Sequence, residues 1–261
     1  MPEGDTIAYA ALRMRPVLEG HVPEAIRMPH PRHALDRWPE RLAGRTVAEV
    51  RTHGKHLFLR FEGDLTIHSH LRMTGSWGVY DAGVRWRRSP RRAWLVLERA
   101  GRQVVQFDGP VLELLSDSRT RFDQRLAALG PDVLAPEFDG DGFLRRLRAD
   151  DHTRGIGDAL LDQRNVAGIG NLWKSESCWD AAVDPWRHVR DVSDAEAIVV
   201  IEAARPRMFE SARTGRQIPT PPARRVFRRH GEPCSRCGTT IRAHGQGDDN
   251  RTTFWCPGCQ R

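Results

Sequence analysis

Residues 162–179 read Asp-Gln-Arg-Asn-Val-Ala-Gly-Ile-Gly-Asn-Leu-Trp-Lys-Ser-Glu-Ser-Cys-Trp. The two glycines, Gly168 and Gly170, are expected to end one helix in a turn, and Asn171 stands where the next helix begins. A helix N-terminus that follows glycines offers free backbone N–H groups to a phosphate, and the Asn171 amide adds a further donor. The alternative is an ordinary glycine turn between two helices that binds no ligand.

Four of the five cysteines form two pairs near the C-terminus, Cys234-x-x-Cys237 and Cys256-x-x-Cys259, with eighteen residues between the pairs. This spacing predicts a tetrahedral site in which four thiolates hold one structural Zn²⁺ per chain. Disulfides are the alternative, and a reducing compartment argues against them. The fifth cysteine, Cys178, lies in a helical pattern and is expected to be a packed core residue.

A hairpin is expected between the two cysteine pairs. Residues 239–241 and 252–255 are rich in threonine and apolar residues, and they flank a turn over residues 245–250. Arg251 follows this turn, so a short β-ribbon pinned at its base by the metal would present one arginine to a phosphate. A purely structural zinc knuckle is the alternative.

The basic residues of the chain are almost all arginines. Lysine and arginine number 41 together against 34 acidic residues, and only Lys55 and Lys174 are lysines. Guanidinium groups suit phosphate oxygens, so the net charge of +7 favours a polyanionic partner, although a genome biased toward arginine codons would give the same composition. No segment resembles a signal peptide or a membrane span, so we expect a cytoplasmic protein with no membrane contact.

The periodicity of the chain predicts three regions. Residues 4–20 show helical spacing, and residues 46–115 contain several short strands separated by turns at Gly63-Asp64 and Ala100-Gly101, which favours a sandwich or barrel. Helical patterns follow the boundary near residues 129–131. Ser193-x-x-Glu196 is a capping box for a helix that Pro206 should kink or end. Residues 213–225 are proline-rich and indicate a linker.

The N-terminus, Met1-Pro2-Glu3-Gly4, supplies a different chemistry. If the initiator methionine is removed, Pro2 carries a terminal amine that titrates near ~8, against ~10.4 for lysine. Unperturbed, it holds roughly a hundredfold more free base at neutral pH. A carboxylate, Glu3, lies beside it. The alternative is that Pro2 merely marks a processed start.

Four features occur together and in order, namely Pro2-Glu3, Asp162…Val166-Ala167-Gly168-Ile169-Gly170-Asn171, Val226-x-x-x-x-Gly231-x-x-Cys234, and the four-cysteine terminus. The chain thereby resembles the formamidopyrimidine-DNA glycosylase and endonuclease VIII family of base-excision repair enzymes over its whole length. The resemblance implies an α+β multidomain fold. It comprises an N-terminal β-sandwich with a leading helix over residues 1–128, a helix–two-turn–helix domain over residues 129–215, and a C-terminal zinc ribbon, a four-cysteine β-hairpin, over residues 225–261.

The resemblance also implies the activity, that of a bifunctional DNA glycosylase and abasic-site lyase acting on damaged double-stranded DNA. The Pro2 amine would attack C1′ of a flipped-out nucleotide and expel the base, and β,δ-elimination through the resulting Schiff base would cut the strand. Glu3 would assist sugar opening and proton transfers. A bacterial, nucleoid-associated monomer is the default expectation.

The remaining site residues follow from matching motifs. Lys55, Asn171 and Arg251 match the phosphate-binding residues of the family. The segment Ser69–Gly75 corresponds to the loop that fills the hole left by the flipped base, with Met73 as the candidate wedge and Arg72 as the reader of the orphaned partner base. The alternative for Met73 is a core position beside the strands.

The chain departs from the family pattern in three places. Asp5-Thr6 replaces the usual Pro-Glu after Gly4, which puts in doubt how the helix N-terminus and the damaged nucleotide are held. Arg228 replaces a small residue, and residues 208–226 lack a threonine-rich capping loop. Together with Gly4, the missing loop favours the endonuclease VIII branch and oxidised pyrimidines. The preferred lesion and the opposing base are left open by the sequence.

Three other functions fit parts of the sequence. A non-catalytic lesion-binding relative would keep the helical clamp and the finger, but the intact Pro2 and Glu3 argue against it. An enzyme acting mainly on abasic sites or single-stranded lesions, with weak glycosylase activity, would share every motif. A zinc-ribbon RNA-binding protein would leave the N-terminus unexplained.

Overall fold

The computed structural model describes residues 2–33, 35–217 and 224–261. Within these ranges the chain folds into two compact units. The first contains Pro2 and residues 6–127, and the second contains Glu3–Asp5 and residues 128–261. The predicted linker over residues 213–225 is described only in part. Its three prolines and Met1 lie outside the described residues.

The first unit is built mainly from antiparallel strands. Its elements in chain order are α1 (Gly4–Leu18, whose first two residues belong to the second unit), β1 (Ala25–Arg27), α2 (Trp38–Leu42), β2 (Val47–His53), β3 (His56–Phe61), β4 (Leu65–His70), β5 (Ser76–Asp81), β6 (Ala93–Arg99), β7 (Arg102–Phe107), β8 (Val111–Ser116), α3 (Asp117–Phe122) and α4 (Gln124–Ala127). The strands form two four-stranded sheets with the orders β2-β3-β4-β8 and β1-β6-β7-β5. One core cluster contains buried side chains of both sheets and of α1, so the predicted sandwich with its leading helix is confirmed.

Two predicted turns fix the register of this sandwich. Gly63 and Asp64 (φ 77° and 62°) connect β3 to β4, and Ala100 and Gly101 (φ 48° and 68°) connect β6 to β7. Ala100-Gly101 is a two-residue hairpin turn, and positive φ at both of its positions matches the right-handed twist of the flanking strands. Gly63-Asp64 are the last two residues of a three-residue loop that begins at Glu62. Both turn predictions are confirmed.

The second unit begins with helices. Its elements are α5 (Gly140–Ala149), α6 (Ile156–Ala159), α7 (Asn171–Asp180), α8 (Asp194–Thr214), β9 (Arg242–Gln246) and β10 (Arg251–Trp255). The capping box at α8 is confirmed, since Ser193 and Glu196 each accept a bond from the other's backbone N–H. Pro206 lies inside α8 without ending it, so the helix continues to the Gly215 C-cap.

Two expectations about local structure are wrong in detail. Gly168 does not break a helix, because α6 ends at Ala159 and residues 160–170 form turns before α7 starts. Residues 239–241 lie outside the hairpin strand, since β9 begins at Arg242 and pairs with β10 across the turn. Arg251 is nevertheless the first residue of β10, at the tip as predicted.

A buried carboxylate joins the helices to the C-terminal segment. Glu176 on α7 is fully buried and accepts hydrogen bonds from the backbone N–H groups of Arg225, Val226 and Phe227, while Arg207 of α8 pairs with it at 3.0 Å. Donors that surround a buried charge offset its desolvation cost. This bonding fixes the segment that leads into the cysteine hairpin.

Among the described residues, no helix combines the length and the apolar character needed to cross a membrane.

Candidate active site and DNA-binding residues

The turn between β2 and β3 carries Lys55. β2 ends at His53, Gly54 adopts φ 55°, and β3 begins at His56, so Lys55 lies in a tight turn at one end of the β2-β3-β4-β8 sheet. The neighbouring register pair on β3 and β4 is His56 opposite His70. Lys55 therefore lies beside imidazoles, and its charge is one cause of the lowered pKa of His70.

A hydrogen-bonded relay of side chains runs across this sheet. His68 Nδ1 lies 3.0 Å from Glu113 Oε2, and His68 Nε2 lies 2.8 Å from His56 Nδ1. Because a carboxylate only accepts, His68 carries its proton on Nδ1, and its Nε2 then accepts the proton of His56 Nδ1. Arg125 bonds to the same Glu113 carboxylate and completes the chain. We call His56, His68 and Glu113 the histidine relay.

Burial keeps these imidazoles neutral. Desolvation, followed by the charges of neighbouring histidines and Arg125, lowers the pKa of His56 to about 2. Burial, with Arg72 and Lys55, lowers the pKa of His70 to about 4. Neutral His70 accepts the backbone N–H of Arg72 on Nδ1 at 3.2 Å, and this bond requires an unprotonated nitrogen.

The segment after β4 has the form of an exposed tip. Arg72 has φ 48°, and the Gly75 N–H donates to the Leu71 carbonyl at 2.9 Å, so the chain reverses tightly between them. Met73 is 60% exposed, which rules out the core alternative for this side chain. The wedge role of Met73 and the base-reading role of Arg72 stay predictions.

A small cavity of about 100 Å³ lies beside Pro2 within the first unit. Its lining is mainly apolar and includes Tyr9, Leu71 and Trp77. The Nε1–H of Trp77 is buried and has no hydrogen-bond partner among the described residues. A buried donor without a partner costs free energy.

In the second unit, Glu3 caps helix α7. Its Oε2 accepts the N–H groups of Gly170 (2.9 Å) and Trp173 (3.3 Å), and its Oε1 accepts that of Leu172 (2.9 Å). Glu3 is only 2% exposed. Three N–H donors and the positive end of the helix dipole stabilise the ionised carboxylate.

This geometry corrects the expectation that the N–H groups at the start of α7 are free for a phosphate. The Glu3 carboxylate uses three of them, and the glycines serve its approach. A Cβ on Gly170 would lie 2.3 Å from the Glu3 carboxyl carbon, and one on Gly4 would lie 2.9 Å from the Gly168 Cα atom. Gly168 itself has φ 107°, a conformation that favours glycine.

Asp5, which departs from the family pattern, is also held by its side chain. It is fully buried, and its carboxylate accepts hydrogen bonds from Ser211 Oγ at 2.5 Å and from Gln217 Nε2 at 3.2 Å. The residues directly after Pro2 are thus fixed by two carboxylates, Glu3 on α7 and Asp5 on the end of α8.

Asn171 and the hairpin meet directly. Asn171 Nδ2 donates to the Thr252 carbonyl at 2.7 Å, so its amide joins α7 to β10, next to Arg251. Lys174, one turn further along α7, is fully buried with Nζ 2.5 Å from Thr253 Oγ1. Burial lowers the pKa of Lys174 to about 8, and its enclosure argues against its use as a nucleophile toward DNA.

The four predicted metal ligands come together at the base of the hairpin. All four Sγ atoms lie within 4.8 Å of one another, with Cys234–Cys259 at 3.8 Å and Cys237–Cys256 at 3.5 Å. A tetrahedron with bonds of ~2.3 Å has S–S edges of about 3.8 Å, so the cluster fits a tetrahedral metal ion. Trp179 Nε1 donates to Cys234 Sγ at 3.4 Å, and Cys178 is a buried core residue, as predicted.

Comparison with known proteins decides the family. The family model described as the formamidopyrimidine-DNA glycosylase N-terminal domain matches residues 1–122, and that of the formamidopyrimidine-DNA glycosylase H2TH domain matches residues 129–220. The chain belongs to the formamidopyrimidine-DNA glycosylase and endonuclease VIII family. The resemblance inferred from the motifs is confirmed.

Individual family members are similar over their whole length. "Probable endonuclease 8 2" of Streptomyces coelicolor is 42% identical over 275 residues, covering 100% of this chain and 94% of the relative. "DNA-(apurinic or apyrimidinic site) lyase Nei2" of Mycolicibacterium smegmatis is 37% identical, covering 100% and 99%. The structure of Lactococcus lactis Fpg in complex with abasic-site DNA has a TM-score of 0.82 at 23% identity and covers both chains fully, which shows a shared fold.

Sequence reasoning missed the histidine relay. One signal was present: His68 and His70 are two residues apart in a strand, so their side chains lie on one face of the sheet. A second signal is that two further histidines, His53 and His56, lie on either side of Lys55 in the sequence. The contribution of Glu113, which comes from β8, could not be read from local spacing.

The relay predicts a pH dependence of stability. The pKa of His56 is lower in the folded protein than its unfolded value of ~6.5. Below pH 6.5 the unfolded chain therefore binds more protons than the folded protein does, and the free energy of unfolding decreases as the pH falls. Replacing His56 with asparagine should reduce the loss between pH 7 and pH 5 by about 1–2 kcal/mol. Urea denaturation at the two pH values measures this, with His21→Asn in the same unit as the control. Parallel losses in wild type and His56→Asn would contradict the assignment.

Proposed function

We propose that this chain is a base-excision repair enzyme, a bifunctional DNA glycosylase and abasic-site lyase that acts as a monomer on damaged double-stranded DNA. Membership of the family over the whole chain supports the reaction class. The observation that carries the proposal is the anchoring of Glu3, because three backbone N–H groups hold the residue that directly follows Pro2. An amine nucleophile needs such a fixed position to attack in one geometry.

The proposed chemistry starts when removal of Met1 frees the secondary amine of Pro2. A bond forms between this nitrogen and C1′, and the glycosidic bond breaks with its electron pair leaving on the base. The nitrogen then loses its remaining proton, and its lone pair expels O4′, which takes up a proton as the sugar ring opens. The iminium ion formed in this way acidifies the C2′–H bond. Loss of that proton expels the 3′ phosphate, and a second elimination expels the 5′ phosphate.

We propose that the Glu3 carboxylate, which accepts three backbone N–H groups, takes up a proton before it donates one. The ammonium form of Pro2 must lose a proton to become a nucleophile, and the neighbouring carboxylate is suited to receive it. The protonated Glu3 can then act as the acid that assists sugar opening. Glu3 would thus act first as a base toward Pro2 and then as the acid that the family resemblance implies.

The remaining site residues are proposed to hold the DNA. Lys55, Asn171 and Arg251 would bind phosphates near the damaged nucleotide, with functional domains bounded as 1–128, 129–215 and 225–261. Met73 would fill the vacated space and Arg72 would read the orphaned base. We propose oxidised pyrimidines as the favoured substrates, because Gly4 and the absence of a threonine-rich capping loop in the sequence of residues 208–226 favour the endonuclease VIII branch.

We also propose that Cys234, Cys237, Cys256 and Cys259 hold one structural Zn²⁺. Four thiolates at tetrahedral separations suit zinc, which would supply a cross-link at the base of the β9–β10 hairpin. The cross-link would keep Arg251 in place with little loss of side-chain entropy on binding.

A second candidate is an enzyme that acts mainly on abasic sites with weak glycosylase activity. The M. smegmatis relative is named as a lyase of apurinic or apyrimidinic sites in DNA, which favours this candidate. Release of thymine glycol from a duplex, measured beside cleavage of an abasic duplex, distinguishes the two.

Borohydride trapping tests the nucleophile. The methionine-processed protein should give a covalent adduct on duplex DNA with one abasic site, and peptide mapping should place the adduct on Pro2. Pro2→Leu, which retains Met1, should lose strand cleavage while keeping specific DNA binding, because the amine is blocked as an amide. An adduct on Lys55, or cleavage by Pro2→Leu at the wild-type rate, would contradict the assignment.

Removal of one thiolate tests the zinc site. Cys256→Ser should lose bound zinc, measured by elemental analysis, and should weaken DNA binding, since structural zinc contributes on the order of 10 kcal/mol to folding in finger peptides. The exposed Ser235→Ala serves as the matched control. Undiminished DNA binding by Cys256→Ser would contradict the role given to Arg251.

A further inference from the structure

An arginine-rich segment of the first unit has no part in the site described so far. Residues 82–92 read Ala-Gly-Val-Arg-Trp-Arg-Arg-Ser-Pro-Arg-Arg, which gives five arginines and no acidic residue. The segment connects β5 to β6 at one end of the sandwich. A local charge of +5 on eleven residues is a strong field on any nearby polyanion.

Some side chains of this segment bind to the sandwich, and others are exposed to solvent. Trp86 packs against Phe107 with ring centroids 5.6 Å apart, and its Nε1–H donates to Gln103 at 2.9 Å. Arg88 pairs with Asp108 at 2.8 Å. Three other arginines of the segment are exposed, and among the described residues they have no carboxylate within ion-pair distance. They are Arg85, Arg87 and Arg91. We call these three residues the arginine ridge.

The anchored side chains hold the ridge next to the candidate wedge. Arg88 Nη1 donates to the Thr74 carbonyl at 2.9 Å, and Thr74 Oγ1 donates to the Asp108 carbonyl at 3.2 Å. Arg92 pairs with the same Asp108 carboxylate at 2.7 Å. Thr74 directly follows Met73 and Arg88 directly follows Arg87, so these bonds connect the backbone next to the exposed methionine to the arginine-rich segment.

We propose that Arg85, Arg87 and Arg91 bind backbone phosphates of the duplex outside the damaged nucleotide, and that Arg88 and Asp108 set the position of this contact relative to Met73. Exposed guanidinium groups without protein partners are the groups that neutralise phosphates and release counterions. The duplex is the partner chosen because Met73, whose neighbour Thr74 bonds to Arg88, is the proposed DNA wedge. The inference therefore rests on the proposed function and extends its DNA footprint.

The test compares two triple variants of the full chain. Arg85→Gln/Arg87→Gln/Arg91→Gln removes the ridge. Arg32→Gln/Arg37→Gln/Arg41→Gln removes the same charge from three exposed arginines of the same unit, which likewise form no ion pair with a described carboxylate. The probe is a 25-base-pair duplex with one tetrahydrofuran abasic-site analogue, and binding is measured between 50 and 200 mM salt. Three phosphate contacts contribute about 2.7 to the slope of log K against log salt.

The ridge variant should bind roughly tenfold or more weakly than wild type and should lose between ~1 and ~3 from the salt slope. The control variant should keep a slope close to that of wild type. An unchanged slope in the ridge variant, or an equal loss in the control, would overturn the proposal.

Borohydride trapping at saturating DNA separates this inference from the proposed function. Trapping by wild type together with an unchanged salt slope in the ridge variant would remove the ridge and leave the enzyme assignment standing. A reduced slope without trapping by wild type would keep the ridge as a DNA contact and remove the lyase assignment.

Discussion

The Glu3 carboxylate at the start of helix α7 is the interaction on which the proposed chemistry depends. It joins the residue after Pro2 to backbone N–H groups about 170 positions away in the chain, and it does so while almost fully buried. A buried charge is stable only when its hydrogen bonds are satisfied, and here the helix terminus supplies the donors. The residue that follows Pro2 is thereby fixed to the start of a helix.

Several otherwise unrelated features follow from this one contact. Gly4, Gly168 and Gly170 leave room for the two backbone segments to approach, and any side chain on Gly170 would meet the carboxylate. Asp5 adds a second anchor on α8 through Ser211. On the same helix, Asn171 and Lys174 bond to β10, so α7 carries both the anchored N-terminal segment and the hairpin that presents Arg251.

In the first unit, polar side chains of the sandwich form hydrogen bonds near the proposed DNA-binding residues. His56 and His68 are linked to Glu113 by hydrogen bonds, and a neutral His70 accepts the backbone N–H of Arg72. The same unit braces Thr74 through Arg88 and Asp108. Hydrogen bonds and ion pairs thus fix the neighbours of Met73 and of the arginine ridge, namely Thr74 and Arg88.

The sequence predicted the features that local chemistry controls. Positive-φ turns at Gly63-Asp64 and Ala100-Gly101, the Ser193 capping box and the paired cysteines were each visible within a few residues. The contacts of Glu3, Glu176 and Glu113 were not visible, because each carboxylate meets donors that are far away in sequence and no periodicity encodes them. The helix N-terminus was correctly located at Asn171, but its occupant was predicted to be a phosphate.

Amide hydrogen exchange in the absence of DNA tests the central contact most directly. In wild type, the N–H groups of Gly170, Leu172 and Trp173 should exchange slowly, because they donate to a buried carboxylate. In Glu3→Ala they should exchange at least ~10 times faster, while the N–H of Glu196, capped by Ser193 on α8, should be unchanged. Equal protection of the three amides in both proteins would contradict the account and remove Glu3 as the anchor of the nucleophile.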